Sequence, residues 1–176
     1  MLLHIIAPIL TTFAALFVSP EDADALRRTA PAYLTHDTAV QHLAAARAMG
    51  MITATEPAML LSIGHHESRY TRDVVTPEPG NRVSCGVMTP EPLYDRRACL
   101  LATESLARGY LAGARHLHGW IVACRGNVAC AVRGYASCGR RADCQAADLF
   151  WWRAQWISRE IAATHRPQTL ASVPRS

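Results

Sequence analysis

The chain has 176 residues, half of them hydrophobic, with a formal net charge of +4. That length suits one globular domain plus a short appendage, and such a composition can build a core without a metal or cofactor, neither of which is expected. All 18 basic residues are Arg, and the only adjacent pairs, Arg27-Arg28, Arg96-Arg97 and Arg140-Arg141, are too scattered for a nucleic-acid interface, although a mild positive excess favours encounter with anionic polymers.

Residues 2–18 are apolar, no charged side chain occurs before Glu21, and Ala23-Asp24-Ala25 then forms an A-x-A-like cleavage pattern. The run has the length of a signal-peptide core and is short for a membrane span. Residues 1–25 are therefore expected to be an export signal or a membrane anchor touching lipid through residues 2–18. The absence of Lys and Arg at the start favours the alternative, a first core helix kinked at Pro8.

Residues 19–34, with Pro20 and Pro31, predict an irregular linker. Val40, Leu43, Ala44 and Arg47 recur at helical spacing and predict a helix from Thr38 to Met49, stopped by Gly50. Thr55 as cap, Glu56 at the positive helix end and Pro57 in the first turn start another, running to Tyr70 or Arg72. Residues 73–98 hold four prolines and two glycines and predict a long loop. Structureless loops of that length in compact domains usually serve function.

A helix is expected from Leu100 to Leu117, with Ala107, Leu111 and Ala114 on one face and Gly119 as its end. A shorter helix spans Val128–Tyr135, and a Gly/Cys loop follows at 137–144. The last helix covers Ala146–Ala163, with an apolar stripe of Ala147, Phe150, Trp151, Ala154, Ile157 and Ile161. This spacing assigns Trp151, Trp152 and Trp156 mainly to core packing and leaves Trp120 the more exposed tryptophan. No segment alternates strictly. The expected fold is mainly α, with room for one minor β-hairpin in the 73–98 loop. One domain spans residues 26–168, and residues 169–176 form a tail.

The six cysteines, at 85, 99, 124, 130, 138 and 144, form no CxxC pair. In an exported protein they would be a disulfide framework, with 15 connectivities open. The shortest loops would pair Cys85 with Cys99, Cys124 with Cys130, and Cys138 with Cys144. Zinc and free buried thiols are the alternatives, although the spacings fit no usual zinc module. His65 and His66 are adjacent on a helix and cannot share one metal face, and His116 and His118 meet the same objection.

Glu67 lies near the end of a helix whose earlier turns are apolar. Desolvation and the negative helix end both raise a carboxyl pKa, as a general acid at neutral pH requires. Position alone does not distinguish it from a solvated surface carboxylate. Its company does. Glu67-Ser68-Arg69-Tyr70 is followed by Ser84-Cys85-Gly86-Val87-Met88 and then by Ala131-Val132-Arg133-Gly134-Tyr135.

That order and spacing, over roughly residues 38–160, resembles the soluble lytic transglycosylases, relatives of goose-type lysozymes. The resemblance implies a lysozyme-like helical domain that cuts the β-1,4 bond between N-acetylmuramic acid and N-acetylglucosamine. Glu67 would be the general acid/base, and the products would carry 1,6-anhydromuramyl ends. Water as acceptor would make the enzyme a hydrolytic lysozyme. A catalytically degenerate wall-binding or structural protein is the non-enzymatic alternative. Ser68 would orient the acid or the sugar, Ser84, Gly86, Val87 and Met88 would line sugar subsites, and the Tyr135 hydroxyl would reach the carboxyl or the substrate.

Thr89 stands where that family has Gln, and Ala136 where it has Asn, with Ser137 a partial replacement. Asp73, Glu78 and Glu91 are candidates for a second carboxylate. The implied partner is the peptidoglycan glycan strand, met by itself or within a larger wall-penetrating assembly such as a secretion system or virion. The implied location is the periplasm, the cell envelope, the exterior or a virion.

Overall fold

The computed structural model describes Ile9, Thr11 and residues 17–78, 82–89, 96–138 and 144–166. Among these the chain is mainly α, with seven helices and one two-stranded antiparallel hairpin. The tail after Arg166, Glu91 and nearly all of the apolar segment 2–18 lie outside the described residues. No helix among the described residues is long and apolar enough to cross a membrane.

The stretch expected to be an irregular linker contains helix α1, Pro20–Thr29. Ser19 caps it by accepting the Asp22 amide, and Pro20 occupies the first turn. Glu21 and Asp22 sit at the positive end, with Arg27 and Arg28 at the negative end. The proline that suggested a linker thus opens a helix. Ala23 and Ala25 are fully buried, so the A-x-A-like pattern lies inside a packed element. Buried Asp22 receives Arg47 Nη2 at 2.6 Å, His165 Nε2 at 2.9 Å and Thr164 Oγ1 at 2.9 Å.

Helix α2, His36–Thr53, starts on a Thr35–Thr38 capping box and passes through Gly50, where a stop was expected. The reason is packing: a Cβ at Gly50 would come 2.5 Å from the Thr55 carbonyl oxygen. The glycine admits the returning chain instead of ending the helix, and Ala54 ends it in the left-handed conformation. Helix α3, Pro57–Ser68, has Glu56 rather than Thr55 at its N-cap. The Thr55 hydroxyl is engaged with Thr53. α3 stops before the expected Tyr70, because Arg69 (φ 55) and Tyr70 (φ 64) turn left-handed and donate back to His65 and Gly64.

The 73–98 loop holds the hairpin, β1 Val75–Glu78 and β2 Arg82–Cys85, with Val75 opposite Cys85 and Thr76 opposite Ser84. The helix expected over 100–117 is two, α4 Arg96–Glu104 and α5 Leu106–Ala123. Extended Ser105 separates them and caps α5. Gly119 does not end α5, since one interior glycine costs only about 1 kcal/mol. Arg125 and Gly126, both at positive φ, make the turn instead. Helix α6, Val128–Tyr135, and helix α7, Gln145–Thr164, lie close to their expected bounds. The three shortest-loop disulfides form, with Cα separations of 5.2, 5.9 and 5.7 Å.

The core joins α1, α2, α3, α5 and α7 around Leu43, Leu60, Ile63, Leu111, Phe150 and Ile157. The tryptophans depart from the expectation. Trp151 and Trp152 are exposed, whereas Trp120 and Trp156 are half-buried and Trp120 packs on Gly134 at the edge of the core.

Candidate active site

Three glycines make a hollow between α3 and α5. Gly109 and Gly113, one turn apart, share a face of α5, and Gly64 faces them from α3. Val87 rests against Gly64 and Gly109, and Met88 occupies the space where a Gly113 side chain would be. Gly86 enters this loop at φ +81, where a Cβ would lie 2.9 Å from the Ala102 carbonyl oxygen. Only glycine meets both demands there. The disulfide from Cys85 to Cys99 on α4 anchors the same loop from the other side.

Two hydroxyls hold the loop down. Ser68 Oγ, on the last turn of α3, lies 2.7 Å from the Val87 carbonyl oxygen and 2.9 Å from that of Gly64. Tyr135 on α6 donates to the Met88 carbonyl at 2.6 Å. So held, the loop brings Thr89 to Glu67, and Thr89 Oγ1 donates to Glu67 Oε2 at 2.7 Å. Thr89 is thereby a direct partner of the Glu67 carboxyl.

Glu67 is half-buried. Burial raises its pKa above the ordinary carboxylate value, and the Thr89 hydrogen bond opposes part of that rise. Burial also holds the Tyr135 phenol well above its ordinary value, and the nearby Glu67 charge adds to the effect. Tyr135 is therefore a permanent donor at neutral pH. Its ring lies 5.1 Å from that of His116 and 6.4 Å from that of Phe150, and Phe150 lies 4.9 Å from His66. This aromatic row links α3, α7, α6 and α5. Deeper in the core, His42 accepts or donates at 3.0 Å with Tyr110, and burial drives its pKa to about 4.

The structure thus brings Glu67, Ser68, Gly86, Val87, Met88 and Tyr135 together. Two of them make contacts other than those the resemblance implies. Ser68 is buried and straps helix to loop, and Tyr135 spends its proton on Met88 rather than on the carboxyl. Ser84 is buried within the hairpin. Ser137 is exposed at the end of α6. Of the second-carboxylate candidates, Asp73 lines a separate groove of 590 Å³ with His42, Tyr70 and Glu104, to which Glu67 does not contribute. The Glu78 side chain lies outside the described residues. No described carboxylate is among the groups that shift Glu67. No cluster of three or more His, Cys, Asp or Glu among the described residues could hold a metal ion.

Gly109 and Gly113 are site residues that no quoted motif contains. The Gly-x-x-x-Gly spacing on α5 was the available signal. No protein-family model, curated protein or solved structure matches the chain.

Proposed function

We propose that the chain is an exported, lysozyme-like lytic transglycosylase that cleaves peptidoglycan glycan strands with Glu67 as its acid/base. The observation that carries this reading is the Glu67 environment: a half-buried carboxyl with raised pKa, held by Thr89, without a second carboxylate among the described residues acting on it. That arrangement suits a reaction in which the substrate supplies its own second group. Protonated Glu67 gives its proton to the glycosidic oxygen as the bond to C1 of muramic acid breaks. The substrate's acetamido oxygen stabilises the electron-poor C1. The Glu67 carboxylate then takes the proton of the C6 hydroxyl as that oxygen bonds to C1, which closes the anhydro ring and restores the acid. Three disulfides fit an oxidising compartment outside the cytosol.

The test is muropeptide release from purified sacculi. Glu67→Gln should lower release by roughly 10²–10⁴-fold, the usual contribution of a general acid. Mass spectrometry of wild-type products should show ends one water lighter than hydrolytic ends. Hydrolytic ends would make the protein a muramidase. Release that survives Glu67→Gln would remove the mechanism.

A further inference from the structure

The outer side of α7 carries a chemistry unlike that around Glu67. The helix buries Ala147, Phe150, Ala154 and Ile157. Each residue turns the helix by about 100°, so Trp151 and Trp152 come round to solvent. They are 42% and 53% exposed. Trp152 is propped by Trp156, whose ring centroid is 5.4 Å away. Large aromatic faces are normally buried, so two adjacent exposed tryptophans on an ordered helix mark a surface that meets something.

Two concavities flank them. One, of 340 Å³, lies between α6 and α7, with buried Val132 below and Arg133, Asp148, Gln155, Trp151 and Trp152 around it. The other, of 390 Å³, lies between the start of α3 and α7, with Glu56, Met59 and Arg159. Trp151 and Gln155 belong to both, so the two form one track across α7. Both volumes suit a small ligand. Met59 precedes Glu67 by eight residues, about 12 Å along α3.

The lining selects among ligands. A pyranose ring offers an apolar C–H face and a belt of neighbouring hydroxyls. Indole plates stack on the first. Carboxylate, guanidinium and amide forks hydrogen-bond pairs of the second. The charges of Arg133 and Arg159 balance those of Asp148 and Glu56. A polyanion needs a basic stripe, and an acidic peptide needs an uncompensated cation. A neutral polyol needs neither.

We infer that the Trp151–Trp152 track is an accessory saccharide-binding site, which holds a glycan strand against α7 while Glu67 acts elsewhere on the polymer. The site stands on its own geometry and rests on the proposed function only for naming that polymer as peptidoglycan.

The experiment measures binding of Glu67→Gln protein to purified sacculi by co-sedimentation, and to chitohexaose by tryptophan fluorescence. A Glu67→Gln protein that also carries Trp151→Ala and Trp152→Ala should bind sacculi about 10-fold more weakly and lose the fluorescence response. Its melting temperature should stay near that of the parent, because both side chains are exposed. Asp148→Ala alone should weaken binding without removing either reporter. Unchanged sacculus binding in the tryptophan variant overturns the inference. So does a parent dimer that the tryptophan substitutions dissociate while sacculus binding persists, since the track would then be a contact between copies. Muropeptide release that survives Glu67→Gln would instead remove the catalytic reading and leave the binding comparison decisive for the track.

Discussion

Residues 17–74 and residues 82–144 are held together by different means. The first region contains α1, α2 and α3 and no cysteine. It closes by burying alanines, among them Ala39, Ala44, Ala45, Ala46 and Ala48, and by pairing Arg47 with Asp22, which Thr164 and His165 also reach from the end of α7. The second region carries all six cysteines, and each pair closes a short loop. Glu67 belongs to the packed region. Val87, Met88, Thr89 and Tyr135, which set its surroundings, belong to the cross-linked one. The acid and its environment can therefore be disturbed separately.

The largest expected effect comes from the cross-linked side. Replacing Cys85 and Cys99 by Ala should cost about 3 kcal/mol of stability, the usual value for a loop of this length. Its particular signature should be loss of sacculus cleavage in denaturant too dilute to lower the helical circular dichroism of the whole chain. The Gly86–Thr89 loop would lose its anchor while α3 keeps Glu67. Cleavage and helix content lost together would show that the two regions do not behave separately.

Next is the packed side. Arg47→Ala leaves buried Asp22 with weaker compensation and should cost about 2 kcal/mol, read as a lower urea midpoint. Burial by itself would raise the Asp22 carboxyl, but Arg47, Thr164 and His165 outweigh it and hold the pKa below 3.8. A lowered carboxyl pKa gives stability that is complete above the unfolded value and is lost as pH falls through the folded one. Acid unfolding of Arg47→Ala should therefore begin at higher pH than that of wild type. Coincident acid transitions would mean that Asp22 does not tie the helices.

The smallest effect falls where the regions meet. Thr89→Val removes a hydrogen bond that favours the Glu67 carboxylate, and should raise the carboxyl pKa further. A general acid works protonated, so activity declines as pH rises through its pKa. The alkaline limb of the pH–activity profile should move to higher pH in Thr89→Val, with a loss of roughly 10-fold or less at the optimum. An alkaline limb that stays in place would show that Thr89 does not tune the acid.

Short-range features of this fold could be read from residues alone. α6 begins after Asn127, whose side chain accepts the Cys130 amide, and cap and helix lie within a few residues. The disulfides follow the shortest loops because loop closure costs least there. The misjudged places were those where a residue had two local meanings. Pro20 can open a helix or interrupt one. Gly50 and Gly119 can end a helix or sit within it, and Gly50 sits within one because the chain returns across it at Thr55. Of the site, the residues carrying motifs were visible. Gly109 and Gly113 were not, since their use lies in what they receive from another segment.

The sequence by itself determined a mainly α chain and the placement of Glu67 near the end of its helix, and it named the shortest-loop pairing of the six cysteines as one of 15 connectivities, which the structure then selected. Each depends on neighbours close along the chain. Only the tertiary structure decided that Thr89 rather than Tyr135 meets the Glu67 carboxylate, and that Trp151 and Trp152 are exposed while Trp120 is half-buried. Those outcomes depend on which surfaces come together across distant segments: Met88 over Gly113, Tyr135 beneath Met88, and Trp120 against Gly134. Helical spacing fixes which residues share a face, but only packing against another element decides which face is buried.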